Sequence, residues 1–226
     1  MRNHVIIVGG GKGTRIGNPI PKQFLPLGGK PILMRTIECF YVWNQKVEII
    51  LPLPEEYLNY WQELCSKYHF TVPCRICVGG ETRFHSVKNG LEQVEEPGFV
   101  AVHDAVRPFA SVALIEACFA QAWDKDSAIP VIALKDSIRE IVGCTGTSRT
   151  ADRSKYAVVQ TPQVFHSGIL RAAYGQSYNP LFTDDASVVE IYGAKIHLVE
   201  GEETNIKITT PLDLRIAEAI LHNRCP

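Results

Sequence analysis

Directly after the apolar run Val5-Ile6-Ile7-Val8, residues 9–23 read Gly-Gly-Gly-Lys-Gly-Thr-Arg-Ile-Gly-Asn-Pro-Ile-Pro-Lys-Gln. A short buried strand there opens into a loop with little side-chain bulk that carries Lys12, Arg15 and Lys22. Glycine lets the backbone take unusual dihedrals and approach a ligand closely. Successive N–H groups can then form an anion-binding nest, and basic side chains spaced along the loop can cover several phosphates at once. The chemistry implied is that of a nucleoside triphosphate site. Two better-known glycine loops do not fit. The dinucleotide fingerprint Gly-x-Gly-x-x-Gly fails in both frames, ending at Thr14 or Ile16, and the P-loop ending Gly-Lys-Ser/Thr fails because Gly13 follows Lys12. The plain alternative, a flexible turn between strand and helix, leaves the three basic residues and Pro21-Lys22-Gln23 unexplained.

Three further stretches could carry chemistry. Val100-Ala-Val-His-Asp-Ala-Val-Arg-Pro-Phe109 is a buried strand that ends abruptly in His103, Asp104 and Arg107. An acid at a strand's carboxyl end beside a triphosphate loop is a natural magnesium ligand, because hard Mg²⁺ prefers oxygen. The alternative is an aspartate capping the helix that begins near Ser111, and His103 reads equally well as a structural histidine. Gly79-Gly80-Glu-Thr-Arg-Phe-His-Ser86 again sets small residues before a helix. It could bring backbone groups and a hydroxyl to the edge of a base, or be a helix start capped by Thr82. In Asn205-Ile-Lys-Ile-Thr-Thr-Pro-Leu-Asp-Leu214, a strand followed by a helix start, Lys207 takes the face opposite Ile206 and Ile208 and points to a pocket or to solvent.

The elements that must position these residues alternate along the chain. Strands are expected at 4–9, 46–52, 71–78, 98–103 and 127–133, with later ones near 157–160 and 195–200. Helices are expected near 31–43, 55–68, 82–95 and 111–124. In the first helix Ile32, Leu33, Thr36, Ile37 and Phe40 share a face at helical spacing, with Pro31 as its first residue. Alternating units of this size predict an α/β fold with a mostly parallel sheet covered on both faces. Ligands then bind at the carboxyl ends of the strands, where the glycine loop begins. Residues 134–160 break the rhythm, alternating polar and apolar residues around a Gly/Thr/Ser-rich turn as a two-stranded arm does. An isolated hairpin is marginal in water, so the arm is expected to pack on a second subunit. The reading is a single domain, 1–226, with 134–160 as a dimerisation arm.

Composition bounds the function. With 226 residues, 46% hydrophobic, the chain can bury a normal core, and its formal net charge of −1 argues against bulk nucleic-acid binding, which needs many uncompensated basic residues. The N-terminal apolar stretch is too short for a signal peptide, and no run approaches transmembrane length. Seven cysteines at scattered positions then suit a reducing cytoplasm. Cys74-Arg-Ile-Cys77 has redox or zinc spacing but lacks a second Cys/His pair at ligand spacing, and it lies in an apolar strand-like segment.

Read together, an ordered set of motifs resembles the 2-C-methyl-D-erythritol 4-phosphate cytidylyltransferases of the non-mevalonate isoprenoid pathway. It comprises the Gly9–Arg15 loop with Pro21-Lys22-Gln23, Gly80 to Ser86, His103-Asp-Ala-Val-Arg-Pro108 and Lys135-Asp-Ser137. It continues with Ala151-Asp-Arg153, Gln160-Thr-Pro-Gln163, Thr183-Asp-Asp-Ala-Ser187 and Glu200-Gly through Asn205-Ile-Lys-Ile-Thr209. Each motif alone is weak, and the set in order over nearly the whole chain is specific. The resemblance implies a Rossmann-like nucleotidyltransferase fold with helices on both faces and a protruding β-arm that builds a homodimer. It implies CTP and a polyol phosphate as substrates, and Mg²⁺ as cofactor. By the same resemblance Arg15 and Lys22 stabilise the transition state, and Gly10, Gly11, Gly80, Ser86 and Ala105 contact the nucleotide. Asp104, Arg107, Ser137, Arg153, Thr161, Thr183 and Lys207 contact the metal or the methylerythritol phosphate, with Arg153 reaching the neighbouring subunit's site. Gly9 and Gly10 stand where the family often has alanine, and Ser137 replaces a more usual threonine. Two other readings compete. Ribitol 5-phosphate cytidylyltransferases share the fold, CTP and most motifs, although Ala151-Asp-Arg153 and Thr183-Asp-Asp-Ala-Ser187 favour methylerythritol phosphate. A non-catalytic nucleotide sensor would not be expected to keep Arg15, Lys22, Asp104 and Lys207 together.

Overall fold

The computed structural model describes residues 2–9, 20–143 and 146–224. In chain order, β1 (Arg2–Val8) leads to the short pair β2 (Pro26–Leu27) and β3 (Lys30–Pro31), then α1 (Ile32–Trp43), β4 (Glu48–Leu53), α2 (Leu58–Lys67) and β5 (Arg75–Val78). Helix α3 (Arg83–Glu92), β6 (Gly98–Asp104), α4 (Val112–Lys125) and β7 (Ser127–Ala133) continue the alternation. The remainder comprises β8 (Arg139–Val142), β9 (Thr147–Thr150), β10 (Ala157–Val159), β11 (Gln163–His166), α5 (Ser167–Tyr174), α6 (Asp185–Tyr192), β12 (Leu198–Glu200) and α7 (Pro211–Arg224).

The main sheet runs β10-β7-β11-β6-β1-β4-β5, with β12 pairing β7 in parallel. Strands β6, β1, β4 and β5 are mutually parallel. β11 is antiparallel to both β6 and β7, so those two share a direction, and β10 also opposes β7. The strand period of two sends neighbouring residues of β1 into different layers. Val5 and Ile7 pack with Leu33, Ile37 and Phe40 of α1, Trp61 of α2 and Ile115 of α4. Ile6 and Val8 pack with Phe84 and Val87 of α3, Leu170 of α5 and Val188 of α6. Truncating a fully buried aliphatic in such a layer costs about 2–5 kcal/mol, and a one-residue slip would exchange the two faces of β1. The sheet's register is therefore tightly held.

The register also places the site. Val8 pairs with Asp104 and Ile7 with His103, and the Ala105 N–H donates to the Val8 carbonyl at 2.9 Å. The root of the glycine loop thus lies against Asp104. Gly79 donates to the Leu53 carbonyl at 2.7 Å, which sets the Gly79-Gly80 loop at the same edge. A smaller cluster of Leu25, Leu27, Val106, Phe109 and Ile208 holds residues 206–208 there.

Several boundaries differ from the sequence reading. Pro31 caps α1 rather than starting it, since its ψ of 137° is extended. Around Lys207 there is no ladder strand. Residues 205–208 are tied to β6's exit by Ile208 N–H to the Val106 carbonyl, 3.0 Å. Residues 134–160 are not one hairpin. β8 and β9 pair antiparallel as a separate sheet, whereas β10 joins the main sheet through β7. Gly143 and Gly146 flank the β8–β9 turn at φ of 69° and 73°, the left-handed region that glycine enters without strain.

Candidate active site

Asp104, the last residue of β6, is the hub of the carboxyl edge. Its Oδ2 accepts from Arg107 Nε at 3.0 Å and from Lys207 Nζ at 3.0 Å, and its Oδ1 lies 3.9 Å from Arg83 Nε. Burial would by itself raise this carboxyl's pKa, but the surrounding Arg83, Lys207 and Arg107 outweigh it and hold the group well below the usual carboxylate range. One permanent anion thus sits among three cations. Asp104 does not cap α4, because Ser111 does, its Oγ accepting from Leu114 N–H at 3.0 Å.

Behind the hub, the donors and acceptors can be assigned by elimination. His103 is fully buried, and that burial pushes it down to about 4, so the ring is neutral at ordinary pH. Its Nε2 meets the Arg107 carbonyl at 3.0 Å, which can only accept, so Nε2 carries the proton. Its Nδ1 therefore accepts from the Thr161 hydroxyl at 3.0 Å, and Thr161 Oγ1 in turn accepts the Asp104 N–H at 3.1 Å. Each group in the chain is satisfied, as burial demands, and His103 has the role of a structural histidine.

Thr161 reaches this place because β11 runs against its neighbours, so its leading residues arrive at the carboxyl end of β6. Gln160, just ahead, brackets Glu202 by donating to its carbonyl (2.8 Å) and accepting its N–H (3.1 Å). Gln163 does the same for α6, donating to Asp184 (2.8 Å) and accepting the Ala186 N–H (2.8 Å). Asn205 donates to the Thr161 carbonyl at 2.8 Å, and its own carbonyl accepts from Arg107 at 2.8 Å. The resemblance named Thr161 as a substrate or metal contact, but Gln160, Gln163 and Asn205 were given no role of their own, because amides carry no charge pattern. Arg83 was also missed. It is forked onto the fully buried Asp185, and that carboxylate overcomes the opposing effect of burial to keep the guanidinium firmly protonated. A cation in the first turn of a helix, against the dipole, was the available signal.

Lys22, Ser86, Asp104 and Lys207 border one cleft of about 380 Å³ together with Gly9, Gln23 and Arg83. Asp104, Arg107, Thr161, Thr183 and Lys207 border a second of about 310 Å³, again with Arg83. Arg83, Asp104 and Lys207 belong to both, so they mark the point where occupants of the two clefts would meet. Ala105 is fully buried beside the first cleft. Gly80 donates to Ser86 Oγ at 3.0 Å, and a Cβ there would fall 2.7 Å from the His85 carbonyl carbon, so the close approach requires glycine. Thr82 caps α3, accepting from His85 N–H. Gly10, Gly11 and Arg15 lie outside the described residues. Ser137 and Arg153 are exposed on either side of the β8–β9 hairpin and border neither cleft, and Arg153 Nη1 bonds the Lys135 carbonyl.

Among the described residues no three His, Cys, Asp or Glu side chains converge as a metal cage. Burial pushes the Cys74 and Cys77 thiols up to about 12 and about 11, unlike reactive or ligating thiols. Asp104 does suit Mg²⁺. Its Oδ1 is beyond hydrogen-bond reach of Arg83, and Mg²⁺ usually takes one or two carboxylates plus substrate phosphates and water.

A family model described as IspD, 2-C-methyl-D-erythritol 4-phosphate cytidylyltransferase, matches residues 3–223. The chain is 51% identical over 221 residues to the protein of that name from Bacteroides thetaiotaomicron, covering 98% of this chain and 100% of the relative. It is 53% identical over 221 residues to that from Phocaeicola vulgatus, with the same coverage. Its fold matches the 4-diphosphocytidyl-2C-methyl-D-erythritol synthase of Anaerococcus prevotii with a TM-score of 0.82 at 28% identity, covering 98% of each chain. For the Thermus thermophilus cytidylyltransferase the TM-score is 0.76 at 31% identity, over 98% of this chain and 100% of that one. Relatedness of this extent decides the matter: the chain belongs to the 2-C-methyl-D-erythritol 4-phosphate cytidylyltransferase family.

Proposed function

We propose that this chain transfers CMP from CTP to 2-C-methyl-D-erythritol 4-phosphate, giving 4-diphosphocytidyl-2-C-methyl-D-erythritol and pyrophosphate. The observation that carries the reading is the meeting of two clefts at Arg83, Asp104 and Lys207, in a chain whose relatives bear that enzyme's name. An oxygen of the acceptor's phosphate attacks the α-phosphorus of CTP. The bond to the α,β-bridging oxygen breaks, and its electron pair leaves with pyrophosphate. The step brings two anions together, so positioning and preorganised cations do most of the work. Lys22 in the first cleft faces the triphosphate, and the family resemblance gives Arg15 the same role, while Lys207, at the junction, offsets the repulsion and Arg107 keeps Asp104 in place. The Gly80–Ser86 segment meets the cytosine edge with Ala105, and the family resemblance adds Gly10 and Gly11 as nucleotide contacts. Asp104 and Thr183 receive the polyol, and Asp104 Oδ1 would hold Mg²⁺, which neutralises triphosphate charge and eases pyrophosphate departure when bound.

Arg153 and Ser137 border neither cleft of their own chain, which fits a homodimer in which the segment following the β8–β9 hairpin lends Arg153 to the neighbouring site. Among the described residues no helix is long and apolar enough to cross a membrane, and together with the free thiols this supports a cytoplasmic setting. No nucleic-acid partner is proposed for a chain of net charge −1. Competition among equal concentrations of CTP, UTP, ATP and GTP tests the nucleotide assignment. CTP is expected to be consumed first, and comparable use of ATP or GTP would overturn the reading.

A further inference from the structure

Arg83 opens α3, where the helix dipole disfavours a cation. Asp185 compensates it. Nη1 donates to Oδ1 at 2.9 Å and Nη2 to Oδ2 at 2.6 Å, and the Tyr174 hydroxyl donates to the same Oδ1 at 2.6 Å. Asp185 and Tyr174 are both buried, so the fork has a fixed base. This end-on grip uses one hydrogen on each Nη, whereas a guanidinium carries five N–H donors in rigid geometry. Among the described residues, the hydrogen bonds of Arg83 all go to Asp185. That leaves a second edge, the Nε–H and the outer Nη2–H, in a residue that borders both clefts and whose Nε lies 3.9 Å from Asp104 Oδ1.

Two parallel N–H donors match two oxygens of a phosphoryl group, and the junction of the clefts is where the phosphoryl group passes between substrates. We propose that Arg83 is a further catalytic residue, gripping the transferred phosphoryl group through its second edge while Asp185 and Tyr174 hold the guanidinium still. Lys207 supplies a movable point charge at the same place, while Arg83 supplies direction. The inference rests on the transferase reading above.

Removing Arg83 alone would strand a buried carboxylate, so the test removes the whole unit. Arg83→Met, Asp185→Leu and Tyr174→Phe are combined, because replacing a buried ion pair by apolar residues of similar volume is often neutral for stability. Thermal unfolding, CTP affinity by calorimetry without acceptor, and turnover with CTP and methylerythritol phosphate are then compared with the wild type. The expected result is near-wild-type unfolding, CTP affinity about tenfold weaker and kcat lower by about 10²–10³. Arg83→Lys, which keeps the charge and loses the fork, should show a similar fall in kcat. If the triple variant does not fold, Arg83→Lys decides alone, and wild-type kcat in either variant would overturn the proposal. CTP affinity is measured without acceptor, so a wild type inert toward the polyol phosphate would count against the transferase reading. Unchanged CTP affinity in the folded triple variant would count against Arg83.

Discussion

Asp104 can organise the clefts only while it stays ionised, which Arg83, Lys207 and Arg107 ensure, and while the side chains behind it hold it in place. Thr161 fixes its backbone, His103 orients the Thr161 hydroxyl, and Arg107 joins Asp104 to the carbonyl of Asn205. His103 gives this scaffold a pH signature. Its folded pKa is about 4, below the unfolded value near 6.5, so its contribution to stability is complete above about pH 6.5. It is lost as the pH falls toward 4, on the order of 3 kcal/mol across that window. Asp104, depressed below the carboxylate range, adds its loss at more acid pH. Urea unfolding of His103→Asn should therefore change less between pH 6.5 and 4 than that of the wild type, and parallel profiles would contradict the assignment. Lys22, which borders the first cleft, is assigned to the chemistry by the proposed mechanism. Lys22→Ala should lower turnover by about 10²–10³, as losing one transition-state donor does, with a much smaller loss of CTP affinity. Normal turnover would remove Lys22 from the catalytic set.

At the scale of elements, the β8–β9 hairpin lies outside the main sheet, and Ile141 and Val142 are exposed, a surface suited to a second subunit. Mixing Lys22→Ala and Arg153→Ala subunits tests whether sites are shared. If Arg153 serves the partner's site, one site of a mixed dimer carries both defects and the other neither, so activity should partly recover. No recovery despite verified exchange would place Arg153 in its own subunit's site. The elements themselves were legible to different degrees. β1, β4, β6 and β7 stand out in the sequence as buried apolar runs. β11, Gln163-Val-Phe-His166, escaped because four residues with polar ends show neither period, yet all four pair with β6, and Val164 and Phe165 also pair with β7. Helices α5 and α6, eight residues each, offer barely two turns of pattern. The segment around Lys207 alternates like a strand, but its hydrogen bonds go mostly to side chains and loops.

For the whole molecule, Lys22, Asp104, Arg107 and Lys207 could be found in the sequence because glycine loops and strand-end charges are local patterns, whereas Arg83 and Asp185 were not. What joins them is not local. The Arg83–Asp185 fork spans 102 positions and the Thr161–His103 bond spans 58, so only the folded sheet brings them together. That assembly yields two clefts meeting at one cationic junction, which is the architecture of a transfer between two bound anions. The most direct test is pyrophosphate release from CTP with Mg²⁺ and each of two acceptors, 2-C-methyl-D-erythritol 4-phosphate and ribitol 5-phosphate. The account predicts rapid release with the methylerythritol phosphate and little with ribitol phosphate. Equal or faster release with ribitol phosphate, or none with either, would contradict it.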